Sequence, residues 1–111
     1  MAMLDAINQL NHELSEKQTE LAKQEEYLFA LMGNHHEGAK PIGYDDTVQA
    51  IIRILKDIAK ISQAISIKYL SRAVYAENSY EENSLLATAS NYARTAHEAE
   101  EKIKSYEAPS N

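Results

Sequence analysis

The sequence predicts an all-α chain folded as an elongated antiparallel three-helix bundle, or as a coiled-coil-like helical hairpin, with helices over residues 3–32, 47–77 and 80–107. Three observations predict it. Apolar residues recur at a helical period through three long segments. Breakers are few and grouped: all three glycines and one of the two prolines fall between residues 33 and 43. The three segments are otherwise built mostly from alanine, glutamate, lysine, glutamine, leucine and isoleucine in windows far longer than a strand.

The first segment carries Met3, Ile7, Leu10, Leu14, Leu21, Leu28 and Leu31. This is a heptad pattern, and its narrow stripe calls for coiled-coil-like packing with Ile7, Leu14, Leu21 and Leu28 in the core. Lys17 and Gln24 stand at two seam positions where leucine is expected, and their long stems can carry the polar heads out to water. Residues 33–46 then read as one long interhelical loop, because Gly33, Gly38, Gly43 and Pro41 all disfavour helix continuation. Ile42 and Tyr44 are placed to pin that loop over the end of the bundle. Asp46 with Gln49 matches the start of a capping box for the next helix.

The stretch from Val48 to Ala76 is the only strongly apolar one, and it contains no glycine or proline. Ile51, Leu55, Ile58 and Ile65 supply its core face, while Arg53, Lys56, Asp57, Lys60 and Lys68 exclude a bilayer span. The apolar stripe is too wide for one neighbour, so this helix is expected at the centre with a helix on either side. Ile52, Ile67 and Leu70 are the expected surplus, available to a partner protein. Tyr69, Tyr75 and Tyr80 cluster around the junction that follows and extend that partner-binding surface, since tyrosine offers broad apolar contact with its hydroxyl in water.

Residues 77–84 interrupt the apolar pattern without a glycine or proline. Ser79 and Glu82 form the Ser-x-x-Glu signature of a helix start, and a turn near Asn78 lets the chain reverse. The competing arrangement is one helix from 47 to 106, about 90 Å long, which leaves much of the third stripe without an intramolecular neighbour. That stripe is Leu85, Ala89, Tyr92, Ala96, Ala99, Ile103 and Tyr106, at alternating spacings of four and three. Its core members, Leu85, Ala89, Tyr92, Ala96 and Ile103, include small side chains that bury little area, so this helix is expected to be the most weakly held. Residues 108–111 form a frayed tail, and the length of the chain suits a single helical domain over 1–111.

Charge is distributed in blocks: −4 over residues 1–32, −2 over 33–47, +4 over 48–76 and −4 over 77–111, for a net −6. The acidic balance argues against nucleic acid as a partner, because phosphate contacts need a basic surface. Packing an acidic, a basic and an acidic helix side by side is expected to set opposite charges along both seams. There is no cysteine, hence no disulfide and no thiol chemistry. With no secretory leader pattern at Met1–Leu10, the expected location is the cytoplasm, with leaderless export by a dedicated apparatus as the lesser alternative.

Chemistry-bearing residues are scattered. His12 and Glu16, His97 and Glu101, and His35-His36-Glu37 are the candidate metal groups, but neither a repeated Glu-x-x-His motif nor HExxH is present. Ser62, Ser66 and Ser71 lack the nucleophile turn, Glu81 and Glu82 diverge by about 100° on a helix, and the glycines lack a phosphate-binding pattern. No metal, cofactor or catalytic residue is therefore assigned. The expected function is a non-catalytic helical interaction module, a self-associating adaptor or small chaperone, with a homodimer as the simplest assembly. The alternative is a regulatory bundle that binds a small ligand or metal through the loop from His35 to Tyr44.

Overall fold

The computed structural model describes residues 2–33 and 40–108, with side chains from residue 5 onward. Its three helices are α1 (Ala2–Gly33), α2 (Tyr44–Ala73) and α3 (Ser79–Glu107). At 32, 30 and 29 residues they are each roughly 44–48 Å long. Together they make an all-α three-helix bundle measuring 61 × 27 × 16 Å.

The heptad of α1 does what its spacing requires. Ile7, Leu14 and Leu28 are buried, Leu10 and Leu21 pack half-buried on the core, and Lys17 leaves the seam to meet Asp57 of α2 at 3.3 Å. Nearer the loop, a Cβ placed on Gly43 would lie 4.0 Å from Leu31 Cδ1. The pairs 17 with 57 and 31 with 43 fix the antiparallel register of α1 on α2.

The start of α2 differs from the expected one. Its N-cap is Gly43, at φ 89°, a left-handed conformation that only glycine adopts without strain. The Gly43 carbonyl accepts from the Thr47 amide at 3.0 Å and from the Thr47 hydroxyl at 2.7 Å. Asp46 consequently sits in the first turn beside Asp45 and does not cap with Gln49; there the two carboxylates favour the positive end of the helix dipole. Ile42 is also corrected: it is almost fully exposed and pins nothing, whereas Tyr44 packs half-buried against the core.

The far end of α2 stops at Ala73, four residues before the expected 77, where Tyr75 and Ala76 donate to carbonyls only three residues back. Such tightened bonds close a helix. The chain then reverses, and Asn78 caps α3, its side chain accepting from the Glu81 amide at 2.8 Å while Glu81 accepts from the Glu77 amide at 3.2 Å. The cap is thus one residue earlier than the Ser79–Glu82 pattern, and the Glu81 carboxylate reaches the residue before the cap. Asparagine is an equally good cap, and the turn geometry chooses between them.

In α2, Ile51, Ile52, Leu55, Ile58 and Ile65 are buried, and in α3 so are Ala89, Ala96, Ala99 and Ile103. Leu85 and Tyr92 are only half-buried. Alanine lets α3 approach α2 closely, and the buried Ser66 hydroxyl donates 2.8 Å to the Ala89 carbonyl across that seam. Among the described residues α1 and α3 nowhere bring their Cα atoms within 8 Å. Long side chains bridge the gap: Tyr92 Oη donates to Asn11 Oδ1 at 2.7 Å, and Lys102 Nζ reaches Glu25 at 2.6 Å. The bundle is therefore an open one, with α2 in the middle.

Candidate functional site

An open bundle leaves three surfaces to consider: the gap between α1 and α3, the outward face of α2, and the two ends of the rod. The gap is a groove of about 560 Å³ whose floor is Leu21, Leu55, Ile58 and Ala99 and whose rim includes Gln18, Thr95 and Glu98. Lys102 and Glu25 bridge it at one end and Tyr92 and Asn11 at the other. Tyr69 of α2 stacks on Tyr92, ring centroids 5.9 Å apart and planes within 10°. This packing holds Tyr92 in place for its hydrogen bond.

The expected partner-binding residues divide. Ile52 is 3% exposed and belongs to the core cluster. Tyr69 is half-buried by its stack on Tyr92. Ile67 and Leu70 are about half exposed, while Tyr75 and Tyr80 are 83% and 85% exposed. Val74, 77% exposed, joins them. Its spacing from Ile67 and Leu70, three and then four residues, was the available signal. These five side chains gather where α2 ends and α3 begins. At the opposite end of the rod, Tyr27, Phe29, Met32 and Ile42 are also exposed.

The charges are not arranged as expected. The interhelical ion pairs among the described residues are Lys17 with Asp57 and Lys102 with Glu25, so one joins α1 to the single acid of the basic segment and the other joins two acidic helices. Arg53, Lys56, Lys60, Lys68 and Arg72 make none. The reason is positional: isoleucine, leucine and alanine fill the seams, and Arg53, Lys56 and Lys60 point outward. Hydrogen bonding to Asp57, followed by the charge of Glu20, holds the Lys17 ammonium above its ordinary pKa. Burial, followed by the nearby Glu25 carboxylate, raises the Tyr106 phenol above its own.

The histidines do not assemble a site. His12 lies 2.6 Å from Glu16 and His97 3.9 Å from Glu101, each pair on its own exposed helix face. Among the described residues no group of three or more acidic or histidine side chains could hold a metal ion. His35, His36 and Glu37 lie outside the described residues. No described helix is long and apolar enough to cross a membrane.

Fold and surface together define an all-helical, three-helix module with exposed apolar side chains at both ends. Compared with protein-family models, curated proteins and solved structures, the chain shows no match.

Proposed function

We propose that this chain is a non-catalytic protein-interaction module, a self-associating adaptor or small chaperone-type accessory protein that works by covering apolar helix surface. The observation that carries the reading is the group Ile67, Leu70, Val74, Tyr75 and Tyr80, left exposed on one end of a bundle that has already filled its core. Aromatic and branched aliphatic side chains so placed gain most when a partner buries them. The separation of the histidine–carboxylate pairs favours a binding role over catalysis.

The reading is tested by affinity isolation from the native cell with the intact chain and with an Ile67→Ser/Leu70→Ser variant. The expected result is a stoichiometric protein partner, a second copy included, that the variant fails to retain. The variant should keep the melting temperature of the parent, since both side chains are largely outside the core. Equal capture by both chains, or none by either, overturns the reading. A second reading, a ligand-binding bundle, is favoured by the apolar floor of the α1/α3 groove; it requires a small apolar compound to raise the melting temperature in a saturable way.

A further inference from the structure

Arg53, Lys56 and Lys60 are followed along α2 by Gln63, Ile67, Leu70 and Val74, at spacings that alternate three and four, and all seven are exposed. That alternation is the seam of a coiled coil. Here it runs along the exposed flank of α2, where Lys56, Lys60, Gln63 and Ile67 form one wall of a groove against Glu100 and Ile103 of α3, and it is cationic over its first half and apolar over its second.

The outward face of α1 carries a counterpart. Glu13, Glu16 and Glu20 are followed by Lys23 and Tyr27 at the same alternating spacing, and all five are exposed. A single offset of forty residues sets Glu13 against Arg53, Glu16 against Lys56, Glu20 against Lys60 and Tyr27 against Ile67. Within one chain the match is unused, because α1 and α2 run antiparallel and Lys17 sits on Asp57. No three acids of α3 share this spacing. Nor can α2 serve as its own partner: parallel pairing sets cation on cation, and antiparallel pairing lays the cations over Ile67, Leu70 and Val74 without countercharge.

We propose that the two faces recognise each other between copies, α1 of one chain lying parallel to α2 of a second in the forty-residue register. This rests on the interaction-module reading and names its partner. Laying α1 of one copy parallel to α2 of the other turns the second copy end for end. The contact is heterologous, so each copy keeps one of its two faces for a further copy, and association runs on as a chain of alternating copies rather than closing as a pair. Exposed charge pairs choose the partner and the register, and Tyr27 against Ile67 adds apolar burial to it.

The test is a charge exchange read by sedimentation. One variant carries Glu13→Lys, Glu16→Lys and Glu20→Lys, the other Arg53→Glu, Lys56→Glu and Lys60→Glu. The wild type should self-associate, each variant alone should do so at least tenfold more weakly, and an equimolar mixture should recover the association, because both kinds of contact between the two variants again pair opposite charges. Since the chain has no cysteine, mixing Glu16→Cys and Lys56→Cys single variants gives a second reading that leaves the charge pattern nearly intact. The mixed 16–56 disulfide should form in excess of 16–16 and 56–56. A wild type that stays monomeric at high micromolar concentration, a mixture that fails to recover, or a predominance of like-with-like disulfides overturns the pairing. A monomeric wild type that still captures a different protein through Ile67 and Leu70 overturns the pairing alone; one that captures nothing overturns the interaction reading as well.

Discussion

Two serines one turn apart on α2 show how position decides what a hydroxyl does. Both are buried, Ser62 completely. Ser66 donates 2.8 Å to the carbonyl of Ala89 and ties α2 to α3, whereas Ser62 Oγ has no hydrogen-bond partner. Desolvating a hydroxyl costs free energy that only a partner returns, so the pair should respond oppositely to truncation. Ser66→Ala is expected to lose about 1 kcal/mol, while Ser62→Ala is expected to be neutral or to gain up to about 1 kcal/mol. Urea unfolding of the two variants checks this, and a Ser62→Ala loss as large as that of Ser66→Ala would show that the Ser62 hydroxyl is in fact satisfied. Neither role was legible in the sequence, where both serines read simply as residues without a catalytic setting.

At the scale of the helices, what could be read was periodicity, and what could not was anything set by the neighbour's distance or by a turn's dihedral angles. Ile7, Leu14, Leu28, Ile51, Leu55, Ile58, Ile65, Ala96 and Ile103 follow from spacing alone and are buried. Ile52 reads as surplus from spacing and is buried, because how much of a wide stripe is covered depends on how closely the neighbouring helices pack. The start of α2 was misplaced because Gly43 acts through a backbone angle, which a pattern of side chains does not reveal. The proposed interaction surface was partly visible, since Ile67, Leu70, Tyr75 and Tyr80 stand out as surplus. The tethering of α1 was hidden, because it uses the lone lysine of a leucine seam and side-chain bridges across a gap. These tethers carry a pH signature. Lys17, beside Asp57 and Glu20, and Tyr106, buried near Glu25, both bind their protons more tightly in the folded chain. Their contributions are therefore complete below the ordinary values, near 10, and are lost as pH rises through the higher folded ones. The melting temperature is expected to hold from pH 7 to about 9.5 and to fall above about pH 10, with a smaller fall in Tyr106→Phe. An identical alkaline fall in that variant would remove Tyr106 from the account.

For the whole molecule, the consequence of a central α2 flanked by two helices that barely meet is shape. A compact chain of this length has a radius of gyration of about 13 Å, but the bundle's Cα radius of gyration is 17.9 Å and its longest dimension 61 Å. Helix length accounts for part of the excess and the open α1/α3 seam for the rest, since side-chain bridges rather than closely packed backbones span that gap. The exposed pairs among such bridges are each worth about 0–1 kcal/mol, too little to close the rod into a tight triangle against the packing of α1 and α3 on α2. Small-angle scattering on the chain carrying the three acid-to-lysine changes, expected to be monomeric, should thus return a radius near 18 Å that does not shrink when Tyr92→Phe removes one bridge. A clearly smaller value, approaching the limit of about 13 Å that the helix length alone sets, would mean that α1 and α3 close on each other in solution. The groove would then have to be redrawn, because that closure removes the gap that Gln18, Leu21, Thr95 and Glu98 now border.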